Sequence, residues 1–396
     1  MTRRTKIELK DAFKGTTLDQ DKAIDPVETV DRFRTRLKAL DLNILDEAER
    51  IDNGRLDIPV YFSHCGRDAR ALTGTKKQMG KGATPEQDEA SAVMEMAVRF
   101  SFFSWYNEDA HFKTAPYTAV EKEAIAYGEI IRSVHDDADE ARRARPFFER
   151  LPLKWASAWS LVQNREVWVP INWFFAINEF NGPSAGNCME EALLQGISEV
   201  VERDVSARIN HGRLNVPGID PTSVQDPVVK ELIAKYRRAG IDLYLSDFTL
   251  EMGIPTVGVL AHDPATFPEK SEIVWTAGTT PSPEKALSRA LTETAQLGGD
   301  FNSGANYVAS GLPKFGSMTA ADFITQPSKR VSIFDLPDLS HDNLRVEVEN
   351  YVAALSSRGY DIFCADATHP DLQVPALYTI IPGAHFRERA QGTSVA

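Results

Sequence analysis

The sequence predicts a mixed α/β (α+β) fold around one continuous core, and three observations predict it. Strand-like and helix-like segments interleave along the 396 residues without strict alternation. Three helical stretches, opening at Pro26, Pro85 and Pro283, carry their own start signals. Three consecutive strands, "IDLYLSDFT", "PTVGVLAH" and "IVWTAGTT", follow one another in the second half. Composition agrees: 42% apolar and 26% charged residues are those of a globular protein long enough to bury a sizeable core.

In order along the chain, residues 1–25 are polar and read as loose. Asp25-Pro26 then opens the helix "VETVDRFRTRLKAL", with Asp as N-cap and Pro in the first turn. "LDIPVYFSHCG" (56–66) reads as a strand and its exit. "TPEQDEASAVMEMAVRFSFFSW" (84–105) is a helix capped by Thr84, with apolar residues recurring every 3.6 positions. Residues 107–150 alternate acidic and basic clusters on a helical pattern and read as peripheral. "EVWVPINWFFAI" is strand-like through its Val, Ile and aromatics. The loop "NEFNGPSAGN" leads into a long helix at "GNCMEEALLQGISEVVERD" (186–204). After the three strands, "SPEKALSRALTETAQLGG" (282–299) reads as another capped helix, with glycine after its end. "VENYVAALSSRG", "YDIFCADAT" and "PALYTIIPG" close the chain as helix, strand and strand.

Net charge of −13 and pI near 5.2 argue against non-specific nucleic-acid or anionic-membrane binding. Cys65, Cys188 and Cys364 form no C-x-x-C pair, so neither a zinc site nor a disulfide framework is indicated. His64 and Cys65 are adjacent on a strand and point to opposite faces, which disfavours a nucleophile–base pair. The longest apolar run, residues 168–177, is well short of the roughly 20 needed to cross a bilayer. "MTRRTKIELKDAFKG" lacks the apolar core of a signal peptide. The expectation is a cytoplasmic protein with no membrane or nucleic-acid partner.

Three polar stripes carry the candidate chemistry. "GKGATP" (80–85) precedes a helix, so backbone N–H groups, glycines and Lys81 together suit an anion; the plainer alternative is a turn. On that helix Ser91, Glu95 and Arg99 progress along one side, which a simple Glu95–Arg99 ion pair also explains. On the 186–204 helix, Glu191, Gln195, Ser198 and Glu202 share one face with Glu199 at its edge and no Lys among them. Like charges one turn apart repel, so this face suits a hard cation with carboxylate ligands, Asn187 offering an amide oxygen. A solvated acidic face is the alternative. In "RALTETAQ", Arg289, Glu293 and Gln296 fall within roughly 60° of arc, a set suited to a phosphate and its cation.

Taken together, "GKGATPEQDEASAVMEMAVRFS", "SAGNCMEEALLQGISEVVERD" and "PEKALSRALTETAQ" resemble, in order and separation, the three ATP-binding motifs of the YcaO family. "VPALYTIIPGAHF" is similar to that family's closing strand. The likeness spans roughly residues 56–385. It divides the chain into an N-terminal segment, 1–55, with one helix packed on the core, and a YcaO domain, 56–396. The resemblance implies helices packed on mixed sheets, with ATP and Mg2+ held between helices and no P-loop. Lys81, Ser91, Glu95, Asn187, Arg203, Arg289, Glu293 and Gln296 would bind the nucleotide. Glu95, Glu191, Glu199, Glu202 and Glu293 would hold magnesium. It further implies a homodimer acting on backbone amides of a peptide or protein substrate, each amide being activated by O-phosphorylation.

Two departures refine the expectation. The family's first motif usually carries a Glu-Arg pair three residues after its Glu; here Val98 precedes Arg99, and Asp88, on the same side near the helix start, is the candidate to compensate. The chain closes on "PGAHFRERAQGTSVA", without the Pro-x-Pro-x-Pro tail of azoline-forming relatives. That points to the thioamide-forming branch, with sulfide as nucleophile and a TfuA-like or sulfur-delivery partner. The alternatives are an azoline-forming cyclodehydratase and a non-catalytic ATP-binding scaffold.

Overall fold

Side-chain caps set the starts of several helices. α1 (Pro26–Leu40) begins at Asp25, whose side chain accepts the amides of Val27 and Glu28. α2 (Arg67–Thr73) is a short connector. α3 (Pro85–Asn107) begins at Thr84, which accepts the Gln87 amide. α4 (Tyr117–Val120), α5 (Tyr127–Arg132), α6 (Ala138–Phe148) and α7 (Ile171–Asn178) precede the longest helix, α8 (Met189–Gly212). α9 (Pro227–Arg238) is capped by Asp226. α10 (Pro283–Leu297) starts after Ser282, whose side chain makes no capping bond, and ends at Gly298. α11 (Asp322–Thr325) and α12 (Leu344–Ser356) complete the set. The computed structural model describes residues 5–18, 20–135, 138–178, 180–298 and 315–386.

The strands form three sheets. β1 (Leu45–Arg50), β2 (Tyr61–Cys65) and β3 (Lys77–Met79) make a small antiparallel sheet against α3. The largest sheet holds β4 (Phe112–Ala115), β5 (Leu153–Ser160), β6 (Arg165–Pro170), β7 (Pro183–Ala185), β13 (Phe363–Asp366) and β14 (Ala376–Ile380). Its order is β4-β5-β13-β14-β7, with β6 paired to β5. The third comprises β8 (Gly218–Ile219), β9 (Asp242–Asp247), β10 (Thr256–His262), β11 (Val274–Thr279) and β12 (Arg330–Val331), in the order β11-β10-β9-β8-β12. Among the described residues no helix is long and apolar enough to cross a membrane.

Three readings of the sequence are corrected. "EVWVPINWFFAI" is a strand only to Pro170, and the rest is α7. Ile171, Phe174 and Ile177 recur at helical spacing and all are buried. Residues 107–150 are not peripheral: Tyr117, Tyr127 and Phe148 pack with Trp155 in the main core. The described part of 1–25 is tied down by its backbone. Lys10 and Ala23 donate their amides to the carboxylates of Glu190 and Glu191, each at 2.6 Å, and Ile7 is buried.

α8 organises the whole. Its apolar face, with Leu193, Ile197, Val200 and Val201, is buried between β7, β14 and α12. At Gly196 a Cβ would stand 2.3 Å from Thr379 Oγ1 and 2.6 Å from Ser184 Oγ, so only glycine lets the helix lie this close to the sheet. α3 packs on β7 from one side, and α10 covers β10 and β11 on the other. The polar stripes of α3, α8 and α10 are thereby turned toward one another.

Candidate functional site

A cavity of about 270 Å³ opens where these three helices meet. Lys81, Ser91, Glu95, Asn187, Glu191, Glu199, Arg203, Arg289, Glu293 and Gln296 all line it. Glu202, the remaining predicted residue, is buried immediately behind, 3.8 Å from Arg203 Nη1 and 3.7 Å from Arg289 Nε. The loop after β3 is pressed onto α3: a Cβ at Gly80 would lie 2.1 Å from the Asp88 carbonyl oxygen. That places the Lys81 amide 3.2 Å from Ser91 Oγ and the Lys81 ammonium in contact with Glu293. From α10, Gln296 donates to the Gly80 carbonyl at 2.7 Å, and Arg289 donates to Gln195 at 2.8 Å.

The carboxylates differ in their surroundings. Glu191 accepts the Asn187 amide at 2.8 Å, the Asn187 side chain at 3.2 Å and the Ala23 amide at 2.6 Å. The Asn187 amide oxygen in turn accepts from Thr29 at 3.1 Å. Glu95 pairs with Arg99 at 2.6 Å, the simple ion pair that spacing allowed. Glu199 accepts the Gly182 amide at 3.2 Å, and burial raises its carboxyl above the usual range against the pull of Arg203 and Arg99. Burial, then the neighbouring Glu293, also raises Glu202. At Glu293 burial again opposes charge, but Lys81 and Arg203 outweigh it and the group is held low. Glu202 Oε2 and Arg289 Nε are buried without a hydrogen-bond partner among the described residues.

Val98 lines the cavity and is buried, so the α3 wall presents a methyl surface one turn beyond Glu95. Asp88 does not replace the missing acid. Its side chain accepts the Tyr61 amide at 2.9 Å, is fully buried and stays out of the cavity lining. Among the described residues no three of the five predicted metal-binding carboxylates bring oxygens within 4.8 Å of one another. The one such group, Glu47, Glu49 and His64, is on the small sheet.

A sequence model of the family described as YcaO cyclodehydratase, ATP- and Mg2+-binding, matches residues 79–385. The chain belongs to the YcaO family. That family is ATP- and Mg2+-binding. An uncharacterized protein of Methanothermobacter thermautotrophicus is 27% identical over 91% of this chain and 94% of its own. A protein encoded in the tfuA 3′ region of Rhizobium leguminosarum bv. trifolii is 25% identical over 95% of this chain and 91% of its own. Among solved structures, a YcaO from Methanopyrus kandleri bound with AMPPCP and Mg2+ superposes with a TM-score of 0.74 at 23% identity, covering 96% of both chains. A heterocyclase in complex with substrate and cofactor gives 0.77 at 23% identity over 96% of this chain, which spans 55% of the heterocyclase. These likenesses show the mixed α/β YcaO fold.

Sequence reasoning missed the strap that crosses this YcaO site. Gln20, Lys22 and Thr29 line the cavity from the N-terminal side. Backbone amides carry no sequence signature, so the Ala23 contact to Glu191 was not readable. The uncapped acids at Glu190 and Glu191, in the first turn of α8, were the available hint.

Proposed function

We propose that this chain binds ATP with magnesium in the three-helix cavity and uses it to activate a backbone amide of a peptide or protein substrate. The observation that carries the reading is the Glu202 corner. A buried carboxylate oxygen and a buried guanidinium nitrogen stand 3.7 Å apart, each without a hydrogen-bond partner among the described residues. Such a corner fits a cation and an anion arriving together, and magnesium bound to a triphosphate brings both. Magnesium also keeps waters and takes only one or two carboxylates beside phosphate oxygens, which suits acids that line a cavity without converging.

Glu202 and Glu293 would hold the ion, with Glu95 and Glu199 on the facing walls and Glu191 after release of the Ala23 amide. Lys81, Arg203 and Arg289 would meet phosphate, and Ser91, Asn187 and Gln296 would supply polar contacts. Bound magnesium supplies neutralisation of phosphate charge. An amide carbonyl is a poor electrophile whose oxygen leaves badly. A nucleophile adds to its carbon, the oxyanion takes the γ-phosphoryl group from ATP to release ADP, and orthophosphate then departs. The cations of the cavity stabilise the charge that develops in this transfer.

Hydrosulfide is the nucleophile in our reading: amide, HS⁻ and ATP give thioamide, ADP and orthophosphate. The relative from the tfuA 3′ region, alignable over 95% of this chain, supports it and implies a TfuA-like or sulfur-delivery partner. The family's cyclodehydratase description favours a second reading, in which a substrate Cys, Ser or Thr attacks its preceding amide to form an azoline. Incubation with ATP, magnesium, a candidate peptide and sulfide, read by phosphate release and peptide mass, separates them. Exchange of one oxygen for sulfur supports the thioamide, and loss of one water the azoline. Absence of magnesium-dependent nucleotide binding in calorimetry overturns both.

A further inference from the structure

We infer that the open edge of β9 is a docking slot for an extended acidic peptide segment, which joins the five-stranded sheet as an added strand. β9 is paired along its whole length with β10, from Asp242↔His262 to Asp247↔Val257. On its other side β8 meets it only at Gly218↔Ser246, with the Asp247 amide donating to Pro217 O at 2.9 Å. β8 then leaves the sheet. Asp220 Oδ1 accepts the Thr222 amide at 2.9 Å and turns the chain into a 3-10 helix at Pro221–Ser223, and Pro221 has no N–H for the ladder.

The departure leaves Asp242–Tyr244 without a neighbouring strand on that side among the described residues, Ile219 being the last β8 residue and lying opposite Leu245. Amides alternate along an antiparallel strand. Because the Asp247 amide points to the β8 side, that of Leu243 does as well, and it faces the open stretch. The gap is a second cavity of about 270 Å³, separate in its lining from the nucleotide cavity. Its walls are apolar where Ile233, Ile241, Leu245, Ile324 and Pro327 contribute.

Two cations flank it. Arg237 at the end of α9 and Arg330 on β12 line the slot and are exposed; they form no ion pair within 4.0 Å among the described residues, although Asp220 feels the charge of Arg330 and Asp242 also lines the slot. A free strand edge supplies main-chain hydrogen bonds to an extended peptide, side-chain pockets supply selectivity, and the arginines favour acids at its flanks. The slot lies on the same sheet that carries α10, and its case does not depend on the nucleotide reading.

The test is selection of a random octapeptide phage library on the full chain, followed by fluorescence anisotropy of the recovered peptides. The expected result is peptides rich in β-branched residues and Asp or Glu, whose binding slows amide hydrogen exchange across 242–244. Arg237→Glu with Arg330→Glu should weaken that binding about tenfold or more while leaving the melting temperature unchanged. Leu243→Pro removes one edge amide without touching the β10 ladder and should abolish binding. Recovered peptides that protect other segments overturn the proposal. So does failure to recover any, or protection of 242–244 that appears on raising protein concentration alone, which assigns the slot to a second copy.

Discussion

Glu191 and Glu202 lie on one helix, three turns apart, and both are buried. Glu191 is fully engaged: two backbone amides and one side-chain amide fill its oxygens, and the N-terminal strap is fastened through it. Glu202 has one oxygen with no hydrogen-bond partner among the described residues, a like charge nearby in Glu293, and a carboxyl raised by burial. A buried carboxylate oxygen without a hydrogen bond is costly even with Arg203 and Arg289 within 4 Å. One end of α8 therefore fastens the strap, and the other keeps a buried oxygen without a hydrogen-bond partner among the described residues, which our reading assigns to magnesium.

The largest expected effect comes from the Glu202 end. Glu202→Gln should lower the affinity for a non-hydrolysable ATP analogue in magnesium by about 100-fold, read by calorimetry. Its melting temperature should change little, because relief from Glu293 offsets the lost attraction of Arg203 and Arg289. A melting temperature that falls together with affinity would make Glu202 a structural acid and erase the contrast with Glu191.

At the fastened end the pattern reverses. Glu191→Gln presents an NH2 group to N–H donors and should cost about 2 kcal/mol of stability, with faster hydrogen exchange at Ala23. Nucleotide affinity should change much less than for Glu202→Gln. Unchanged affinity would remove Glu191 from the metal shell, and a sharp loss at constant stability would make it as strong a ligand as Glu202, reached once the strap opens. A smaller effect is expected at the strap's other anchor. Lys14 contacts Asp21 at 2.8 Å and the buried Glu347 at 2.7 Å, so Lys14→Met should cost about 1 kcal/mol and speed exchange across 10–24 alone.

The same contrast explains what the sequence discloses. The stripes of α3, α8 and α10 were legible because helical periodicity fixes which residues share a face, and the cavity gathers all of them but Glu202 and Ser198, whose hydroxyl bonds Tyr351. The caps at Asp25 and Thr84 were legible because the first turn needs a side-chain acceptor, and both are made. Strands β9, β10 and β11 were legible from β-branched runs bounded by turns. The strap was not, since its contacts are main-chain amides on distant carboxylates. α7 was misread because a short apolar run of aromatics fits strand and helix alike, and only the spacing of Ile171, Phe174 and Ile177 decides. Asp88 was placed on the functional side by its angle on the helix wheel. The close approach at Gly80, invisible to periodicity, closes that side off.

Val98 offers the smallest and most discriminating change. It forms the cavity wall one turn beyond Glu95, where the resemblance led us to expect an acid. Val98→Glu would set a second carboxylate beside Glu95, and neighbours one turn apart repel by a few tenths of a kcal/mol before any cost of burial. The free protein should therefore melt slightly lower. If a cation occupies this wall in the loaded state, the added ligand more than offsets that repulsion, and magnesium-dependent nucleotide affinity rises, on the order of fivefold. If ions sit only at the Glu202 corner, the introduced carboxylate meets phosphate with no metal between, and affinity falls. Calorimetry of this one variant at two magnesium concentrations decides whether the cavity's poised chemistry extends to α3 or is confined to the α8–α10 side.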